Sequence, residues 1–111
     1  MDITFRSKKL ERQCNDFRLL QKEHGLTRAR KIRQRLDELR ASDNLEVISR
    51  LPAARAHELG GDRNGQISVD LDHPFRLIFV PNHAPAPSKE DGGLDWSKVT
   101  KIIIFEIVDP H

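Results

Sequence analysis

Four side chains in this sequence have the chemistry that metal-free cleavage of RNA requires. They are His57, Arg76, Asp109 and His111. Such cleavage needs a base for the 2′-hydroxyl proton, an acid for the leaving oxygen, and a cation that stabilises the charged phosphate. Two imidazoles and one guanidinium can fill these roles, and a carboxylate can orient or tune one imidazole. If folding brings the four together, the sequence predicts a site for phosphodiester cleavage.

Arg76 is the most unusual of the four because its neighbours in the predicted strand are apolar, namely Phe75 and 77–80. A guanidinium in a central strand is costly unless it is paired or faces a functional anion. The structural alternative is an ion pair with Asp70, with Asp109 or with another carboxylate of the strands. The sequence leaves both interpretations open.

The two candidate histidines also have ordinary explanations. His57 precedes a strand and, taken alone, is more often a surface or capping residue. His111 follows Pro110, which restricts the backbone and favours an extended Asp109, although a frayed terminus is the alternative. The remaining histidines match no metal-binding spacing, so we predict no metal and no cofactor. They are His24, His73 and His83.

The pattern of apolar residues changes at about His57 from helical spacing to strand-like alternation. We therefore predict one domain over 1–111, of the α+β class, with an N-terminal helical hairpin packed on a mainly antiparallel sheet. The predicted elements are a strand at 3–6, a helix from an N-cap at Ser7 to about His24 with a left-handed stop at Gly25, a helix from a cap at Thr27 to about Ala41, a short turn within 44–51, and strands at 66–71, 75–80 and about 99–109.

The segment 81–98 is long for a loop in a compact domain, so we predict that it is either functional or a mobile insertion, with Trp96 fixing its far end. In the strand at 66–71, we expect Ile67, Val69 and Leu71 to face the core. Cys14 lies in the apolar stripe of the first helix and is interpreted as a small buried hydrophobe.

Positive charge is concentrated in the N-terminal part of the chain. Residues 1–40 carry twelve Lys and Arg against six Asp and Glu, although the whole chain has a net charge of only +2. This asymmetry favours a polyanionic partner, but a solvated helix face explains it equally well. A DNA-binding helix is a weaker option because the arginines surround the second helix broadly. We assign its non-core faces to Arg28, Arg30, Lys31, Arg33, Arg35 and Arg40.

The single cysteine, Cys14, excludes an internal disulfide, and no apolar stretch is long enough to span a membrane. No pattern typical of a signal peptide opens the chain. These features predict a cytoplasmic protein with no membrane partner.

Several segments together resemble the HigB-type branch of the RelE toxin superfamily, the plasmid maintenance killer proteins. The segments are His57-Glu58-Leu59, the run from Gly61 to Ser68, Phe75-Arg76-Leu77-Ile78-Phe79, and the run from Glu106 to His111. The resemblance implies a curved sheet and a ribosome-dependent endoribonuclease that cuts messenger RNA in the A site without a metal. It also implies a helix-turn-helix antitoxin of the HigA type, with operator DNA bound only through the complex of the two proteins.

The same resemblance suggests roles for individual residues. His57 and His111 would be the acid and the base in either order, and Asp109 would orient a histidine. On its own chemistry rather than on the resemblance, Arg76 would hold the phosphate. The predicted contacts to ribosomal or messenger backbone are Arg28, Arg30, Arg33, Arg55 and Arg63.

Two departures from the family pattern motivate an alternative function. Pro110 stands where the family usually has tyrosine, and Gly60 stands where many relatives have lysine. The alternative is a catalytically weakened or inactive homologue that binds an antitoxin and acts as a co-repressor module.

Overall fold

The computed structural model of the chain describes residues 1–109, and it has the predicted α+β class. The elements are β1 (Asp2–Phe5), α1 (Lys8–Asn15), α2 (Phe17–His24), α3 (Leu26–Ala41), α4 (Leu45–Ser49), β2 (His57–Glu58), β3 (Ile67–Asp70), β4 (Arg76–Pro81) and β5 (Lys101–Val108), with short 3₁₀ turns at Pro52–Ala54, Gly61–Arg63 and Trp96–Lys98. No helix among these is both long and apolar enough to cross a bilayer.

The five strands form one mixed sheet in the order β1-β5-β4-β3-β2. β1 pairs with β5 in parallel, whereas the other three pairings are antiparallel, as predicted for most of the sheet. The register aligns Arg76 with Asp70 on one side and with Val108 on the other. His57 lies opposite Ser68. The start of β2, the beginning of β4 and the end of β5 therefore lie near one another in the sheet.

The helices cover one face of this sheet and bury an apolar core against it. Ile67, Val69 and Leu71 belong to that core, as the alternation predicted. Since directly paired residues share a face and successive residues alternate, His57 and Arg76 lie on the opposite face. The remaining core residues include Leu20, Ile32, Leu36, Leu39, Leu77, Phe79, Ile102 and Ile104.

The prediction of one continuous helix from Ser7 to His24 was wrong, because the chain breaks at Asp16. Ser7 is the N-cap of α1, and its hydroxyl accepts from the backbone N–H of Leu10 at 3.1 Å. Asp16 has extended backbone angles, and its carboxylate accepts from the N–H of Arg18 at 3.0 Å. Aspartate favours this capping position over a helix interior. It therefore starts a second helix within the predicted one.

The second helix boundary also differs from the prediction. Gly25 ends α2 as expected, but its φ of 82° and ψ of 164° lie outside the left-handed helical region. This extended conformation at positive φ is nearly exclusive to glycine. It lets α3 begin at once at Leu26, so the prediction of Thr27 as the cap was wrong.

Arg35 was predicted on a non-core face of the helix, and this was wrong because its side chain is only 3% exposed. Its guanidinium donates to the carbonyl of Asp70 at 2.7 Å and to that of Ala53 at 2.9 Å. It also pairs with Glu38 at 2.9 Å. A long planar donor with five N–H groups can bind carbonyls from several segments at once. Arg35 thus connects α3 to the end of β3 and to the 3₁₀ turn before β2.

We expect Arg35→Ala to lower the free energy of unfolding by roughly 3 kcal/mol, because it removes a buried guanidinium and its hydrogen bonds to the carbonyls of Asp70 and Ala53. Urea unfolding followed by circular dichroism measures this change. The matched control is Arg30→Ala, since Arg30 is exposed on the same helix. Equal midpoints for the two variants would contradict the structural role of Arg35.

The segment between β4 and β5 is folded rather than structureless. Ser88 and Leu94 form an isolated antiparallel bridge, and the N–H of Lys89 donates to the carbonyl of Gly93 at 2.7 Å. Trp96 fixes its far end, as predicted, by donating its indole N–H to Glu58 at 3.1 Å.

Cys14 is buried, as predicted from its place in the apolar stripe. Burial raises the pKa of its thiol to about 11, against a smaller opposing effect of Arg40. A thiol with this pKa is largely protonated at neutral pH and is a poor nucleophile. Cys14 is therefore a packing residue.

Candidate functional site

The sheet brings His57 and Arg76 into direct contact on the face that the helices leave uncovered. The Nη1 atom of Arg76 lies 3.0 Å from Nε2 of His57. The two residues come from β2 and β4, and β3 lies between these strands. The guanidinium therefore reaches across one whole strand to meet the imidazole. Two of the four candidate site residues therefore lie close together, as the sequence predicted.

The hydrogen bonds of His57 indicate which of its two ring nitrogens carries the proton. A guanidinium only donates, so Nε2 of the ring must accept from Arg76. Nδ1 then carries the proton and donates to the carbonyl of Arg55 at 3.0 Å. The neutral ring consequently presents its lone pair to the same cation that would bind a phosphate. A neutral imidazole can act as a base, and the neighbouring guanidinium can hold a negatively charged group, such as a phosphate, next to it.

Asp70 and Ser68 complete the contacts of Arg76. The Nε atom of Arg76 lies 3.7 Å from Oδ1 of Asp70, and Nη1 lies 3.4 Å from the hydroxyl of Ser68. Oδ1 of Asp70 is buried and lacks a hydrogen-bond donor. The predicted structural alternative, an ion pair with Asp70, is thus present but too long for a hydrogen bond. The Arg76 side chain is 21% exposed and is therefore only partly buried.

Arg55 joins the site through both its backbone and its side chain. Its φ of 45° is the only positive value among the described non-glycine residues. This conformation is unfavourable for a residue with a Cβ, and it aims the carbonyl at His57. The side chain is 73% exposed and lies 3.6 Å from Asp70. Arg55 is therefore a cation at the rim of the site.

The end of β5 lies beside the same cluster. Val108 pairs with Arg76, and the exposed Asp109 follows it directly. His111 and Pro110 lie outside the described residues, so the role of His111 stays a prediction.

Two of the five arginines predicted to contact RNA are occupied within the protein. Arg28 donates to Asp72 at 3.0 Å and stacks on the ring of Phe75, with 3.4 Å between the guanidinium carbon and the ring centre. Arg63 pairs with Glu106 at 2.6 Å. Both pairs reduce the positive charge that these residues offer to a phosphate backbone.

Arg30 and Arg33 lie on α3, which covers the other face of the sheet. The fold therefore separates them from His57 and Arg76. Arg33 is exposed, and its guanidinium lies 5.4 Å from the ring centre of Phe17. Of the five predicted contacts, Arg55 is the exposed cation that the fold places beside the histidine.

Asp70 was predicted as a possible partner of Arg76, whereas the participation of Ser68 was not predicted, although the sequence contained a signal for it. The alternation that placed Ile67 and Val69 in the core also placed these two residues on the opposite face. The positive φ of Arg55 had no such signal.

The cluster offers an exposed imidazole, a partly exposed guanidinium and the exposed guanidinium of Arg55, which is chemistry suited to a phosphodiester. In residues 1–109, no three His, Cys, Asp or Glu side chains are arranged to hold a metal ion. No protein-family model matches the chain, and no curated protein matches it by sequence.

Proposed function

We propose that this protein is the toxin of a type II toxin–antitoxin system and a ribosome-dependent endoribonuclease that cuts messenger RNA and so inhibits translation. The observation that supports this most strongly is the 3.0 Å contact between His57 and Arg76 on an open face of the sheet. The resemblance of the sequence to HigB-type toxins supplies the rest of the proposal.

In the proposed reaction, a phosphate of the messenger binds Arg76 and replaces its contact with His57. Nε2 of His57 then takes the proton from the 2′-hydroxyl, and the 2′-oxygen attacks the phosphorus. The bond to the 5′-oxygen breaks, and that oxygen receives a proton from the acid, the role that we propose for His111. The products are a 2′,3′-cyclic phosphate and a 5′-hydroxyl. Arg76 stabilises the charge that develops on the phosphate oxygens.

The proposed partners follow from the same resemblance. They are the ribosome with its messenger, a cognate helix-turn-helix antitoxin, and operator DNA through the complex with that antitoxin. We propose that the protein acts in the cytoplasm. Arg55 suits a sequence-independent contact with the RNA backbone because it is exposed beside the site.

Purified protein added to translating ribosomes tests the proposal. We expect messenger cleavage within the codon held in the A site, mapped by primer extension. An intact messenger at a molar excess of the protein over ribosomes would contradict nuclease activity. Co-expression with the adjacent reading frame should also relieve growth arrest if that frame encodes the antitoxin.

A second candidate function is an antitoxin-binding and co-repressor module without nuclease activity. Pro110 and Gly60 motivate it, as do the internal partners of Arg28 and Arg63. The ribosome assay with Pro110→Tyr distinguishes the two candidates. An inactive wild type whose Pro110→Tyr variant gains cleavage would favour the second function, whereas an active wild type would exclude it.

A further inference from the structure

The face of the sheet that carries the candidate site is partly covered, although no helix packs on it. Ser68 and Ile78 are fully buried, yet their pairing places them on the same face as His57 and Glu106. Ile78 accordingly does not belong to the core cluster under the helices. Something on the open side must shield these residues from water.

Arg63 spans this face. It lies in the 3₁₀ turn between β2 and β3, whereas Glu106 lies on β5, so the contact crosses β3 and β4. Its Nη1 atom donates to Glu106 at 2.6 Å and to the side-chain oxygen of Gln66 at 3.0 Å. These hydrogen bonds attach the connection between β2 and β3 to β5.

The turn that carries Arg63 depends on glycine for its shape. Gly61 and Gly65 have φ values of 59° and 88°, and a Cβ at either position would meet no atom within 4 Å. These glycines are therefore required for backbone conformation rather than for space. The tight turn directs Arg63 back over the sheet.

The charges on this face nearly balance. Arg55, Arg63 and Arg76 face two carboxylates, Asp70 and Glu106. Asp70 lies beside Arg55 and Arg76, so Glu106 is the carboxylate that neutralises Arg63. The side chains of Arg63 and Glu106 are 30% and 37% exposed. Ion pairs this exposed contribute little to stability, and an arriving phosphate can compete for the guanidinium.

We propose that Glu106 is a specificity-determining residue that masks Arg63, and that an RNA phosphate binds Arg63 by displacing the Glu106 carboxylate. The proposal rests on the proposed function for the identity of RNA as the ligand. Glu106 then limits binding to a ligand whose other phosphates already engage Arg76 and Arg55. Free anions bind weakly because they must displace the carboxylate without this support.

Binding of a 2′-O-methyl RNA oligonucleotide tests the proposal, because that probe lacks the attacking hydroxyl and stays intact. We expect Glu106→Gln to bind it about 3- to 10-fold more tightly at low salt, with a salt dependence of log K steeper by about 0.7. Arg63→Gln should bind about 3- to 10-fold more weakly than wild type, because the phosphate loses its contact with Arg63. In the Arg63→Gln background, the Glu106→Gln change should have less than about 2-fold effect.

Glu106→Thr, which suits a strand, should repeat the pattern and guards against a defect specific to one variant. Equal tightening in the presence and absence of Arg63 would overturn the proposal, because Glu106 would then act as a general negative charge. No tightening in either Glu106 variant would overturn it as well. Cleavage on ribosomes is scored separately, so loss of the nuclease proposal alone leaves this binding result interpretable.

Discussion

Replacing His57 with alanine is expected to slow messenger cleavage on ribosomes by about 10²- to 10⁴-fold, the usual contribution of a general base. The reason is that Nε2 of His57, which lies 3.0 Å from Arg76, is the proton acceptor in the reaction that we propose. Single-turnover rates with saturating protein measure the chemical step. Binding of the uncleavable RNA should change little, because the cations of the site remain.

The matched control for this prediction is His24→Ala. His24 ends α2 and lies on the helical side of the molecule. The control should cleave at close to the wild-type rate. Equal rates for the His57 and His24 variants would remove His57 from the mechanism.

Arg76→Lys is expected to lower the cleavage rate by about 10²- to 10³-fold while preserving the net charge. A lysine ammonium is a compact point charge that lacks the planar fork of arginine. It would not reach His57, Ser68 and Asp70 together, as Arg76 does. The lysine variant keeps a cation near the buried Asp70 oxygen, which limits the loss of stability.

Arg30→Lys is the control for this change, since Arg30 is exposed on α3. Cleavage rates and urea midpoints are compared for the two variants. If Arg76→Lys cleaves as fast as Arg30→Lys at equal stability, the guanidinium is not the group that stabilises the phosphate.

Much of the fold could be predicted because strand alternation reports which face is buried. The spacing of Ile67, Val69 and Leu71 predicted β3 and its core face correctly. The apolar run before Asp109 likewise predicted β5. Antiparallel pairing of successive strands then aligns Arg76 with Val108.

Features that depend on single backbone positions were harder to predict. The apolar stripe continues from Cys14 to Phe17 across Asp16, so its periodicity carries no signal for the break between α1 and α2. Arg35 illustrates a different difficulty. Its burial depends on carbonyls of Asp70 and Ala53, which approach α3 only in the folded chain.

The candidate site was predictable to the same uneven degree. The strand pattern predicted the approach of His57 and Arg76, whereas the capture of Arg63 by Glu106 depends on how the connection after β2 folds over the sheet. Counting charges in the sequence therefore overestimated the number of arginines whose charge is available to an RNA phosphate.

The chemical identity of the cleaved ends tests the central claim most directly. Messenger cut on ribosomes by the wild-type protein should carry a 2′,3′-cyclic phosphate upstream and a 5′-hydroxyl downstream. A 2′-deoxy substitution at the cut nucleotide should abolish the cut, because His57 would have no hydroxyl proton to take. Cleavage that survives this substitution, or that leaves a 3′-hydroxyl and a 5′-phosphate, would contradict the proposed role of His57 and Arg76.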